Sequence, residues 1–258
     1  MESKRKVVYH GDEHSHKKGK NIWGVSVTVK NNTAKRIVIA SDGLLGKVER
    51  PDVISVNVPG ALIGDLIQET KNIMHPNFCA LVILSGGNYN ITPKGYGFDS
   101  LLLSGNEKHI KKRITKNFTR EVVEFSSFLK EHGGKLILTS PLPLPKEVDD
   151  TKNVSNNSEV LRKFISSLFV ALDDAIHSLN DSEGIYTPNI KSKVEVKTRR
   201  YRDSRFKRLN SMLYKGTNQR KINLDRFNAD LVSIKNNVRE AMVEYIFNTN
   251  LAIIQQFK

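Results

Sequence analysis

The chain has 258 residues, of which 38% are hydrophobic, enough for one good-sized α/β domain with tails or for two small domains. No run reaches the roughly 18–20 apolar residues of a membrane span, and the N-terminus lacks the apolar core of a signal peptide. Cys79 is the only cysteine, which excludes an intrachain disulfide and a cysteine-cluster metal site. A net charge of +14 and a pI near 9.7 point instead to polyanionic partners, nucleic acid ahead of membrane.

In chain order, residues 1–34 read as a basic, partly disordered extension. Within it His14, His16 and Asp12 belong to a solvated arm rather than a metal site, and Trp23 to Val29 alternates as an edge strand should. The regular domain is expected over 35–258. Ile37-Val38-Ile39-Ala40 is a short apolar run with three β-branched residues, so 36–41 is read as a strand buried on both faces. It breaks at Ser41-Asp42-Gly43, a turn triplet at the carboxyl end of the strand, the edge where open α/β sheets bind ligands. A second strand is expected over 52–58, ending at Pro59-Gly60, and a helix over 61–74 from the stripe Leu62, Ile63, Leu66, Ile67 and Ile73. Residues 79–84 form a third strand, closing on Ser85-Gly86-Gly87-Asn88.

A long helix over 107–132 starts basic and turns apolar, stopped by Gly133-Gly134. Strand four covers 135–140, and a helix runs from Ser155 or Ser158 to about Asn180. The segment 190–226 carries thirteen Lys and Arg against Glu195, Asp203 and Asp225, a local excess of +10 within the total of +14, with Tyr201, Phe206 and Tyr214 interleaved. A last helix is expected over 230–257, its stripe Leu231, Ile234, Val238, Met242 and Ile246 packing back on the sheet. Strands alternating with helices imply a parallel sheet covered on both faces.

Four blocks in this order resemble those of the SGNH (GDSL-type) hydrolases. Ser41-Asp42-Gly43 resembles the Gly-Asp-Ser block, Val58-Pro59-Gly60-Ala61 the second block, and Gly86-Gly87-Asn88-Tyr89 the Gly-x-Asn-Asp block. The resemblance implies a three-layer α/β/α fold with a five-stranded parallel sheet in flavodoxin-like order. It also implies that Gly43 stands where the nucleophilic serine should be, that Gly60 and Asn88 stand at oxyanion-hole positions, and that Asn223 stands where the catalytic histidine should be. The register Asp225-Arg226-Phe227-Asn228 also ends in asparagine, and the last histidine of the chain is His177. An amide cannot accept the serine proton as imidazole does. The pattern of loss is most similar to the OSK-domain group of insect germ-plasm proteins, which implies messenger RNA as partner, germ-granule proteins as further partners and a place in cytoplasmic ribonucleoprotein granules. No cofactor, metal or membrane partner is expected.

Three functions compete. An RNA-binding pseudo-hydrolase would use Arg199, Arg200, Tyr201, Arg202, Arg205, Lys207 and Arg208, with a second patch from Lys108, Lys111, Lys112, Arg113 and Lys116. Cations would neutralise phosphates and aromatic rings would stack unpaired bases; no helix-turn-helix, zinc-finger or zipper signature marks a DNA reader. A divergent hydrolase would need Ser41 or Ser85 as nucleophile and His75, His109, His132 or His177 as base. A scaffold would keep Gly43, Gly60 and Asn88 only as turn and tie residues.

Overall fold

The computed structural model describes residues 7–9, 25–29, 36–43, 45–74, 80–88, 105–139, 141, 158–179, 184–191, 206–208, 225 and 234–257. Seven strands make one sheet: β1 (Val7–Tyr9), β2 (Val25–Val29), β3 (Ile37–Ser41), β4 (Val53–Asn57), β5 (Leu81–Ser85), β6 (Lys135–Thr139) and β7 (Ile185–Tyr186). Their spatial order is β1-β2-β4-β3-β5-β6-β7. The last five are parallel, with β3 central between β4 and β5, which is the flavodoxin-like order. β1 and β2 add to the β4 side as antiparallel strands. A separate ribbon pairs β8 (Asn189–Lys191) with β9 (Phe206–Arg208). The helices are α1 (Ile63–Ile73), α2 (Glu107–Glu131), α3 (Ser158–Ser178), α4 (Asn236–Thr249) and α5 (Leu251–Ile254), followed by a 3-10 turn Gln255–Phe257.

Successive strand side chains alternate between two apolar cores. Val38, Ala40, Val82, Leu84, Leu136 and Leu138 face the core shared with α1, α2 and α3. Ile37, Ile39, Leu81, Ile83 and Ile137 face the core shared with α4 and α5. Double-sided burial explains why these strands read as unbroken apolar runs rather than as alternation. Each fully buried aliphatic side chain contributes about 1.5–3 kcal/mol, so both layers are held by many small terms of one kind.

Helix α2 is longer than the sheet is tall. Its 25 residues span about 37 Å, against about 17 Å for a five-residue strand. Near its end, Gly134 N donates to Leu129 O at 2.7 Å and Lys135 N to Ala80 O at 3.1 Å, which sets Leu129 beside the amino edge of the sheet. Phe118 lies at the other edge, where a Cβ on Gly87 would come within 2.7 Å of its ring. Residues 107–117, about three turns, therefore extend roughly 16 Å beyond the carboxyl edge, with Ile110 and Ile114 still buried on the inner side.

Four features differ from the sequence reading. Val25–Val29 is not the edge strand, because Val7–Tyr9 pairs outside it, so the extension 1–34 contributes two strands to the sheet. Three residues are too few to show a periodicity. The fifth parallel strand is only Ile185–Tyr186, shorter still. The strand expected over 79–84 is shifted toward its polar end, Leu81–Ser85, because Ser85 pairs in register with Ser41 and Thr139. The C-terminal helix is broken at Asn250, whose backbone N and side-chain Nδ2 both donate to Ile246 O, at 3.2 and 3.0 Å. That side chain competes for the carbonyl a continuing helix would use, and the chain restarts with Asn250 O accepting from Ile253 and Ile254. Residues 230–233, the expected start of this helix, and Cys79 lie outside the described residues. Among the described residues no helix is long and apolar enough to cross a membrane.

Candidate functional site at the carboxyl edge

The parallel strands deliver Asn57, Ser41, Ser85 and Thr139 to one row at the carboxyl edge, paired in register across β4, β3, β5 and β6. The loops that follow are tied to one another through Asp42. Its backbone N donates to Ser85 O at 3.1 Å, its carbonyl accepts from Gly60 N at 3.0 Å, and its Oδ2 accepts from Asn88 N at 3.0 Å. Val58 N closes the set by donating to Ser41 O at 2.9 Å. Gly43, Gly60 and Asn88, the three expected positions that fall on described residues, are thus brought together. Asn223 lies outside the described residues, and Asp225 is exposed.

Asp42 is the residue that sequence reasoning left without a role. It is buried, and it joins three loops. The signal was available: an acidic residue placed directly after a doubly buried strand needs hydrogen bonds from its surroundings to remain there.

Gly43 has φ +109°, and a Cβ there would stand 3.1 Å from Pro59 Cα and 3.3 Å from Pro59 Cβ. Any side chain at this position meets both a strained backbone and the proline of the second block. The amide of Gly60, at the oxyanion-type position, is directed at the Asp42 carbonyl rather than outward. Ser41 is wholly buried, and its Oγ accepts from the amides of Gly43 and Leu45, both at 3.2 Å. It acts as the cap of its turn, as Ser commonly does. Ser85 and Thr139 are buried as well.

The candidate bases are dispersed. His132 follows α2 at the amino edge, the far side of the sheet, with Nδ1 2.8 Å from Phe128 O. His177 is near the end of α3, which also leads to the amino edge, with Nδ1 2.6 Å from Asp173 O. His109 is exposed on the projecting part of α2, and His75 lies outside the described residues.

Of the expected RNA-binding residues, Lys112 and Arg113 are exposed on the projecting turns of α2 and Lys111 is half-buried there. Lys207 and Arg208 form part of β9, opposite Ile190 and Asn189. Arg199, Arg200, Tyr201, Arg202 and Arg205 lie outside the described residues. They belong to the stretch 192–205 whose two ends are joined by the pairing of Lys191 with Phe206. Because β7 runs parallel to its neighbours, the chain leaves it at the carboxyl edge, and the ribbon begins three residues later. Among the described residues, no group of three or more His, Cys, Asp or Glu side chains is placed to hold a metal ion.

No protein-family profile matches the chain, and no curated protein does. Solved structures do. A candidate acylhydrolase from Bacteroides fragilis is 14% identical over 89% of this chain and 91% of its own, with a TM-score of 0.51. A GDSL-like lipase from Bacteroides thetaiotaomicron is 12% identical over 86% and 90%, with a TM-score of 0.49. The OSK domain of Drosophila Oskar is 13% identical over 82% and 86%, with a TM-score of 0.43. At these identities the likeness is one of fold. Together with the five-stranded parallel order, it makes this an SGNH hydrolase-like fold.

Proposed function

We propose that this SGNH-like domain binds RNA through cationic surfaces and does not hydrolyse esters by a serine mechanism. The observation that carries the binding half is the β8–β9 ribbon. It ties together the ends of a stretch holding Lys193, Lys197, Arg199, Arg200, Arg202 and Arg205 against only Glu195 and Asp203. Cations gathered between two paired strands can neutralise adjacent phosphates, and Tyr201 among them can stack an unpaired base. The non-hydrolytic half is supported by Gly43, where a positive φ and a tight approach to Pro59 disfavour a serine, and by the inward amide of Gly60. The resemblance to the OSK-domain group extends the proposal to messenger RNA in cytoplasmic ribonucleoprotein granules.

The test is binding of a labelled single-stranded RNA and of an equally charged DNA duplex across a salt series. The protein is compared with a variant carrying Arg199→Glu, Arg200→Glu, Arg202→Glu and Arg205→Glu. An RNA preference that survives near-physiological salt and disappears in the variant is the expected result. Equal, steeply salt-dependent binding to both would reduce the reading to generic polyanion attraction. Turnover of a short acyl ester, abolished by Ser41→Ala, would overturn the non-hydrolytic half.

A further inference from the structure

Helix α2 gathers its cations in its first half. Residues 107–120 hold six Lys and Arg against Glu107, whereas 121–131 hold Lys130 against three glutamates. The helix pole acts within the first turn, which holds Glu107 beside Lys108, so it neither favours nor opposes the cations of the next two turns. Neighbouring carboxylates pair little of this charge. Arg120 faces Glu124 at 3.8 Å, but no ion pair joins Lys108, Lys112, Arg113 or Lys116 to an acid among the described residues. These four are exposed, and they lie on the turns that project past the carboxyl edge. Lys108, Lys112 and Lys116 recur every fourth residue, which gives one cation about every 6 Å along one ridge.

We propose that this ridge is a phosphate-backbone interface for RNA, an inference that rests on the RNA-binding reading above. A polyanion laid along it would neutralise the side-chain charges and release its own counterions. The ridge itself is made of lysines, which have no ring to stack on a base; the exposed His109 and Arg113 stand about 100° round the helix from it. It contacts phosphates alone, independently of sequence and equally on single-stranded and duplex RNA, whereas the aromatic-bearing ribbon segment meets unpaired bases.

The experiment compares the wild-type chain with Lys108→Gln/Lys112→Gln/Lys116→Gln, and with the four-arginine variant of the 192–205 stretch. Two single-stranded RNAs of unrelated sequence and one RNA duplex are titrated over a salt series, and circular dichroism confirms the helix content of each variant. Losing three phosphate contacts should reduce the magnitude of the slope of log K against log salt by about two on the single strands and nearly three on the duplex, and weaken binding at 0.15 M salt by roughly tenfold or more for each of the three RNAs. An unchanged slope in the glutamine variant, with the arginine variant impaired, overturns the ridge but leaves RNA binding standing. A wild-type chain that binds none of the RNAs overturns both. Polyglutamate competing as well as RNA at equal charge would assign the ridge to an acidic protein instead, and overturns it.

Discussion

Two regions at the same edge of the sheet treat their polar groups in opposite ways. In the loops around Asp42, the amides of Asp42, Gly43, Leu45, Val58, Gly60 and Asn88 are all donated to acceptors within those loops. On the projecting turns of α2, cations stand exposed without carboxylate partners among the described residues. The first arrangement ties the loops to one another. The second adds little to the fold. Under the proposed RNA-binding reading, it is the ridge that offers charge to a ligand.

The comparison can be broken at the point where the two regions meet. Phe118 is fully buried between α2 and the Gly87 loop, and Phe118→Ala should cost about 3–5 kcal/mol in denaturant unfolding, with the salt slope of RNA binding unchanged wherever the protein remains folded. Asp42→Ala removes the acceptor that Asn88 N uses, and should cost about 1–3 kcal/mol by the same measurement. A neutral result would mean that the loops are held by something other than Asp42.

Gly43→Ser introduces the residue type of the Gly-Asp-Ser block that this turn resembles. The positive φ and the Pro59 contact predict a loss of about 1–3 kcal/mol and no ester turnover. A stable variant that hydrolyses esters would sink the account of this position. The smallest effect has the most informative sign. Lys108→Glu places an acid in the first turn, at the positive pole, so stability at low salt should rise by about 0.3–1 kcal/mol while RNA affinity falls. If both quantities fall together, Lys108 is structural rather than a binding residue.

Four of the five parallel strands and the long helices were legible because each depends on a local pattern, either an unbroken apolar run or a stripe of 3.6-residue period. The stripe Ile110, Ile114, Phe118, Val122, Phe125 and Leu129 is buried along its whole length. Gly43, Gly60 and Asn88 were legible as a group because the order of blocks placed them after successive strands. What escaped depends on distance in the chain or on shortness. Val7–Tyr9, Ile185–Tyr186 and the β8–β9 ribbon are too brief to carry a period, and Asp42 acquires its role only when residues 60, 85 and 88 are brought beside it.

Composition and order alone determined the charge and the α/β alternation, since these are properties of residues and their neighbours. Tertiary structure decided the rest. It turned the Gly60 amide inward, set Pro59 against Gly43, and extended the basic turns of α2 beyond the sheet edge. The physical reason is one of length and packing. How far a 25-residue helix overhangs a five-residue strand depends on which of its turns the sheet covers, and that is settled by contacts such as Phe118 on Gly87, between segments far apart in the chain.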